Sequence, residues 1–251
     1  MSAPVSLSHI GAMNVLALDS SMAGICIGVY TARGGLVTGR QAEMERGQAE
    51  ALIPMAQKTM AAAGLSFADL DAIVSTIGPG SFTGLRLGLS SAKSFGLALG
   101  KPVYGVGTLE ALAQSRILSE DKIGEKGFAV ITETRRDDFY FQHFDPSGRP
   151  LSEAQALSLA GLTEMLSRCD VADVIGDSGL EKFITSLDKN EKAHYSALVQ
   201  FIPDPVGLIT VFDQYYQNNK DDFGRKNELE PLYLREADVS TPKNLPRQLS
   251  S

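Results

Sequence analysis

Three places along the chain gather side chains that could do chemistry. Asp19-Ser20-Ser21 sets a carboxylate and two hydroxyls at the end of the apolar run VLALD. An acid at the end of a first strand, facing a loop, is a usual ligand position in α/β folds, and it serves equally as a hydrogen-bonded turn residue. Gly78-Pro-Gly-Ser-Phe-Thr-Gly84 is the second place, where Gly78, Gly80, Ser81 and Thr83 offer a tight turn and a helix start whose backbone N–H groups can cradle an anion. Its spacing is one residue too long for the dinucleotide GxGxxG, and no Gly-Lys-Ser/Thr makes it a P-loop. The third place is Arg135-Arg136-Asp137-Asp138, which reads most simply as a solvated hairpin corner. His9, His143 and His194 stand apart from one another, as do Cys26 and Cys169, and no HExxH, CxxC or GxSxG pattern occurs. The sequence therefore predicts no metal centre, no disulfide framework and only a thin inventory of catalytic groups.

The elements that position these residues follow from apolar spacing. VLALDSS reads as a buried strand, and Arg33-Gly34-Gly35 separates two further strand-like runs, so residues 14–42 form a three-stranded meander. Residues 45–63 have helical spacing, with Leu52, Met55, Ala56, Thr59 and Ala63 on one face, Pro54 predicting a kink or a late start, and Gly64 as a stop. Ser66 and Asp69 resemble a capping box before a strand at 72–77. The helix from Thr83 then carries Gly84, Gly88, Ala92 and Gly96 every four residues, beside a stripe of Leu85, Leu89, Phe95 and Leu99. Each interior glycine costs about 1 kcal/mol relative to alanine, so close approach of another backbone must compensate. Either a strand of the chain's own sheet or a helix of a partner would provide it.

A strand at 103–106 and a helix from Thr108 follow. Residues 128–131 and 139–144 then repeat the strand-led opening, with helices near 159–167, 179–187 and 204–217 and a strand at 171–175. Two units each led by three strands imply an internal structural duplication of α/β type. Residues 1–13 read as a flexible N-terminus, 14–107 as an N-terminal domain, 108–224 as a C-terminal domain and 225–251 as a segment partly packed and then flexible. Met13 offers a second start.

The 251 residues, 43% hydrophobic and 21% charged, suffice for one large domain or two smaller ones. A net charge of −7 argues against this chain gripping a phosphate backbone by itself. No apolar run is long enough to cross a membrane, and the first dozen residues lack the charge and apolar core of a signal peptide. The expected setting is cytoplasmic, with both cysteines as buried or half-buried free thiols.

Four stretches together carry a resemblance: VLALDSS at 15–21, GPGSFTGLRLG at 78–88, GVGTLEALA at 105–113 and PLYLR at 231–235. They resemble the bacterial TsaB (YeaZ) family, whose members take part in making threonylcarbamoyladenosine on tRNA. The resemblance implies an actin-like, sugar-kinase-like (ribonuclease H-like) duplicated fold. It further implies a non-catalytic accessory or dimerisation subunit, working with a TsaD-type catalytic subunit that transfers the threonylcarbamoyl group to N6 of adenosine 37. The helices near 45–63 and 83–99 are then the partner-binding pair, with Leu52, Met55, Gly84, Arg86, Gly88, Leu89, Ala92, Phe95 and Gly96 at the interface. Asp19, Ser20, Ser21, Gly78, Gly80, Ser81 and Thr83 become a vestigial nucleotide cleft. Further expectations from the resemblance are a TsaE-type ATPase in the complex, a homodimer in isolation and tRNA reached only through the complex. No cofactor is expected on this chain alone, and any ADP or ATP sits at the complex interface. Two departures stand out: Glu133-Thr-Arg-Arg-Asp-Asp-Phe-Tyr140 where the family often has Asp-Ala-Arg and a Glu-Val-Tyr-like strand, and Arg46-Gly-Gln-Ala49 where it often has a His-Ser-Glu-like start. The rival readings are a nucleotide-dependent kinase-like or hydrolase enzyme of the same fold, recognisable by its own ATP turnover, and an inactive peptidase-like protein with a different partner.

Overall fold

The computed structural model describes residues 7, 9–118, 123–134, 136–218 and 229–234. The opening apolar run forms β1 (Val15–Asp19), every residue of which is buried, and β2 (Gly24–Thr31) and β3 (Leu36–Glu43) complete the expected meander. Helix α1 (Gln48–Ala62), β4 (Ala72–Gly78), α2 (Phe82–Leu99) and β5 (Val103–Gly107) follow. Helix α3 (Thr108–Leu118) leads into the second unit: β6 (Phe128–Glu133), β7 (Asp138–Phe144), β8 (Gln155–Ser158), α4 (Leu159–Cys169), β9 (Asp173–Gly176) and α5 (Ser178–Ser186). The short α6 (Lys189–Lys192) and β10 (Ser196–Val199), neither expected from the sequence, precede α7 (Pro205–Asn218).

The duplication is explicit in the sheets. The first has the order β3-β2-β1-β4-β5, and the second has β8-β7-β6-β9-β10. In each, the leading strand pairs antiparallel with the next and parallel with the fourth. Strand alternation then assigns two faces to each sheet. Val15 and Ala17 face a core shared with Leu208, Ile209 and Phe212 of α7, while Leu16 and Leu18 face Leu52, Ala56 and Met60 of α1 and Ala92 of α2. In the second sheet, Phe128 and Val130 meet Leu109 and Leu112 of α3, whereas Ala129 and Ile131 meet Leu162 of α4 and Phe183 of α5. Five layers result: α1 with α2, the first sheet, α3 packed on α7, the second sheet, and α4 with α5.

Local chemistry explains the element ends that matter for the site. Gly47 at φ +92° delays α1 to Gln48, three residues later than the apolar spacing indicated, and the helix then runs through the exposed Pro54. The Ser66–Asp69 capping box forms, opening a single 3-10 turn (Phe67–Asp69). Ser81, not Thr83, caps α2, and Gly100 at φ +63° ends it.

Two boundary expectations change. Leu7 and Ile10 are buried in the first core, and the Asp213 carboxylate accepts from the backbone N–H groups of His9 and Ile10, both at 2.9 Å. Residues 9–13 are thus pinned rather than loose. Helix α7, placed by sequence order in the second domain, packs on the first sheet, because Gly28 and Gly39 leave no side chain where Pro205 seats itself. No helix among the described residues is long and apolar enough to cross a membrane.

Candidate functional site

A cleft of about 430 Å³ lies between the two units. The first unit contributes Ser21 to Ala23 after β1 and Pro79 to Thr83 at the start of α2; the second contributes Thr132 to Thr134, Arg136, Tyr140, Asp177 and Ser178; Tyr233 closes one side. The walls are thus equivalent loops of the two repeats. Ser81 caps α2 on one side and Asp177 caps α5 on the other.

Of the cleft residues expected from sequence, Ser21, Gly80, Ser81 and Thr83 line it, while Asp19, Ser20 and Gly78 lie behind the wall. Asp19 is fully buried. Its Oδ1 accepts from the Ser21 backbone N–H (3.1 Å), the Ser21 hydroxyl (2.5 Å) and the Thr76 hydroxyl (2.5 Å). Ser21 Oγ lies 3.1 Å from Thr108 Oγ1, and because its own hydrogen goes to Asp19, Thr108 is the donor. Oδ2 is buried and has no hydrogen-bond partner among the described residues. Burial raises the Asp19 pKa, against the pull of those three hydrogen bonds. The Ser20 hydroxyl turns instead to the carbonyl of Gly84 at 2.8 Å.

Two amides of the turn at 78–84, those of Ser81 and Gly84, are engaged within the chain. Ser81 N–H donates to the Ser21 carbonyl at 2.7 Å, Leu85 N–H to the Ser81 carbonyl at 2.8 Å and Gly84 N–H to Ser81 Oγ at 3.4 Å. Gly80 lies so close to the preceding loop that a Cβ there would stand 2.6 Å from the Ser21 carbonyl oxygen. Across the cleft, Asp177 Oδ1 accepts from the N–H groups of Glu133 and Gly179, both at 2.8 Å, and so occupies the N-terminus of α5 with the chain's own anion. Ser178 Oγ donates to Glu133 Oε2 at 2.6 Å. Burial pushes Asp177 up to about 6, with the Glu133 charge adding to the rise and the two amides opposing it. An actin-like fold implies a nucleotide at this place. Of the groups that could meet an anion there, the Ser81 amide is bonded to Ser21, the Gly179 amide is bonded to Asp177, and Asp19 is sealed from the cleft.

The residues expected at a partner interface separate by burial. Leu52, Gly84, Gly88, Leu89, Ala92 and Gly96 point inward, Met55 and Phe95 are half-buried, and Arg86 is exposed. The glycine stripe packs on the chain's own strands. Added Cβ atoms would run into the Ser20 backbone at Gly84, come within 3.1 Å of Ser20 Oγ and 3.2 Å of Ser75 Oγ at Gly88, and collide with Val103 at Gly96. What approaches the stripe is thus the loop after β1 and side chains of β4 and β5, not a partner helix, and a bulky residue at Gly88 would act on folding first. Phe95 stacks on Phe67 at 5.1 Å. The outward face of α2 is a different set: Phe82 (46% exposed), Arg86, Ser90, Lys93 and Leu97 (89% exposed).

Elsewhere, Asp137 is exposed as expected, but Asp138 is buried, its carboxylate accepting from the Thr134 hydroxyl. Among the described residues no three His, Cys, Asp or Glu side chains come together as a metal site. Sequence reasoning missed Thr76, Thr108, Asp177 and Tyr233. Asp177-Ser-Gly follows a strand as Gly80-Ser81 does, so mapping the first repeat onto the second would have found it.

Paired sheets of identical strand order, an interlobe cleft and loops of both repeats facing across it define the actin-like class that includes sugar kinases. A YeaZ structure from Pseudomonas aeruginosa shares the fold with TM-score 0.70 and 22% identity, covering 88% of this chain and 100% of that one. A family model described as TsaD, tRNA N6-adenosine threonylcarbamoyltransferase, matches residues 30–189. The chain belongs to that family, and it is similar to proteins named TsaB or YeaZ. An uncharacterized protein of Mycobacterium tuberculosis is 34% identical over 169 residues, 63% of this chain and 76% of that one. The tRNA threonylcarbamoyladenosine biosynthesis protein TsaB of Escherichia coli is 31% identical over 102 residues, 41% of this chain and 43% of that one.

Proposed function

We propose that this chain is the accessory subunit of a tRNA threonylcarbamoyladenosine-forming complex, docking a TsaD-type catalytic subunit and performing no group transfer itself. The observation that carries the reading is the self-occupied cleft. Two amides that an enzyme of this fold could turn toward a ligand, those of Ser81 at the start of α2 and Gly179 at the start of α5, are engaged by Ser21 and Asp177.

The outward face of α2 supplies the docking surface. Phe82, Arg86, Ser90, Lys93 and Leu97 follow one another at three- or four-residue steps, which places them on one side of the helix. The helix contains no acidic residue, although the chain carries a net charge of −7. Two exposed apolar side chains and two cations fit a partner face with an apolar centre and acidic rim. The exposed Ile53 of α1 extends the same layer. Activation follows from differential affinity: a partner that binds only the competent conformer of the catalytic subunit raises the population of that conformer. When the catalytic subunit is absent, the same face pairs two copies of the chain. The tRNA is held by the catalytic subunit, consistent with the acidic balance here.

The test is quantitation of threonylcarbamoyladenosine in a reconstituted reaction containing the catalytic subunit, with this chain added or omitted. Modification that requires the chain, with none from the chain alone, is the expected result. Equal modification without it overturns the accessory role, and ATP turnover by the purified chain restores the kinase-like alternative.

A further inference from the structure

After α7 the chain returns as residues 229–234 and lies across the ends of β4 and β5. Leu232 N–H donates to the Ile77 carbonyl at 2.7 Å, and Leu229, 8% exposed, seats its side chain over Gly105. The Leu232 carbonyl closes on Gly78, where a Cβ would stand 3.0 Å from that oxygen and where φ is +117°. Only glycine meets both demands there.

This seating delivers Tyr233 to the first turn of α2. Its ring centroid lies 5.5 Å from that of Phe82, and its hydroxyl accepts from Arg86 Nε at 3.3 Å. The guanidinium carbon of Arg86 is 3.9 Å from the Phe82 ring centroid. Arg86 is therefore held on its face by Phe82 and on its Nε edge by Tyr233, while its two Nη groups make no hydrogen bond among the described residues. Long exposed arginines ordinarily lose rotamer freedom when they bind, and a guanidinium already fixed loses less. Its free edge is the one that engages a carboxylate in bidentate fashion.

We propose that Arg86 is a preorganised anchor for a carboxylate of the catalytic partner, and that Tyr233, presented by the 229–234 strap, is the residue that positions it. The inference rests on the docking face described above and names its chemistry: an Asp or Glu side chain meeting the N-terminal end of α2. Phe82 supplies the apolar half of the same anchor.

Binding of the full chain to the catalytic subunit, measured by calorimetry without tRNA, tests it with Arg86→Ala, Arg86→Lys, Tyr233→Phe and the double variant Arg86→Ala/Tyr233→Phe. Exposed arginine anchors at interface centres lose on the order of tenfold or more in affinity when truncated. The expected result is such a loss for Arg86→Ala and nearly as large a loss for Arg86→Lys, which keeps charge without the fork. Tyr233→Phe, keeping the ring but not the acceptor, should lose about threefold with unchanged melting temperature. The double variant should match Arg86→Ala, since Tyr233 acts only through Arg86. Losses that multiply in the double variant overturn the positioning role, as does wild-type affinity in Arg86→Lys for the fork. A wild-type chain that fails to bind the catalytic subunit sinks the docking reading itself, before any variant is compared.

Discussion

Gly84→Ala and Gly88→Ala separate two explanations of the glycine stripe, because one methyl meets backbone and the other meets side chains. At Gly84 the added Cβ would fall on the Ser20 carbonyl, 2.9 Å from its carbon and 3.3 Å from Ser21 Cα, with no rotamer to relieve it. Helix α2 must move off the β1–β2 loop, straining the Ser20 Oγ to Gly84 carbonyl bond of 2.8 Å and the Ser81 N–H to Ser21 bond of 2.7 Å. Overpacking of this kind costs about 1 to 3 kcal/mol, and a weakened buried hydrogen bond about 1 more. Alanine returns about 1 kcal/mol of helix propensity, leaving a net loss of about 1 to 3 kcal/mol. For a chain of this length that is a fall of about 2 to 12 °C in melting temperature. At Gly88 the nearest atoms are the hydroxyls of Ser20 and Ser75, at 3.1 and 3.2 Å, which can give by a few tenths of an ångström. Propensity gain and crowding then nearly cancel, and the melting temperature should stay within about 3 °C of wild type. Thermal unfolding followed by circular dichroism reads both, with binding to the catalytic subunit measured in parallel below the transition. A Gly84→Ala chain that melts like wild type but no longer binds would refute the internal packing argument and return the stripe to the interface.

Asp177 gives a pH signature. Its folded value near 6 lies above the ordinary 3.8, so its contribution is fully present below pH 4 and is lost as pH rises through 6. Asp177→Asn keeps an acceptor for Glu133 and Gly179 without ionising, and should gain about 2 to 3 kcal/mol relative to wild type between pH 4 and pH 7 in denaturant melts; parallel curves would disprove the assignment. Asp19→Ala strands the donors of Ser21 and Thr76 in the core and should cost about 2 to 4 kcal/mol, with no ATP turnover in either protein. Wild-type turnover that vanishes in Asp19→Ala would instead mark a kinase-like enzyme. Asp213→Ala releases the N–H groups of His9 and Ile10 and should speed amide exchange in residues 9–13 while costing about 1 to 3 kcal/mol. Unchanged exchange would show that the burial of Ile10 alone holds the segment.

Much of this architecture was legible because buried strands announce themselves. VLAL and AIV are continuous apolar runs of the kind sheets covered on both faces require, and Arg33-Gly-Gly marks the hairpin between β2 and β3. The duplication followed from order alone. Strand β10 escaped notice because SALV is short and largely exposed at a sheet edge, with no alternation to read. The cleft was half legible: Ser21, Gly80, Ser81 and Thr83 line the concavity, and glycine turns and caps are local signals. Asp19 was misplaced for the opposite reason. A strand-end acid looks ligand-facing in sequence, and only the long-range donor Thr76, 57 residues away, shows that it is held inside. The glycine stripe fails in the same way, since four-residue spacing defines a face without saying what covers it.

The middle layer makes the cleft a poor candidate for a closing clamp. Helix α3 packs on the second sheet and on α7, while α7 packs on the first sheet, so each unit is braced by a helix that touches the other. Asp204 N–H donates to Ser115 Oγ at 2.8 Å, and Gln41 Nε2 donates to the Pro203 carbonyl at 2.6 Å, tying the approach to α7 to both sides. Opening the units about a hinge would have to break these bonds and slide α3 over α7, whereas hinge closure around ligands uses a few loop residues between bodies that otherwise part freely. The strap at 229–234 adds a further tie, from β4 to the first turn of α2 and the cleft rim. A chain braced in this way presents the outer face of α2 at a fixed angle. A fixed surface is what a partner needs in order to favour one conformer of the subunit it binds, and the proposed docking role draws on this bracing.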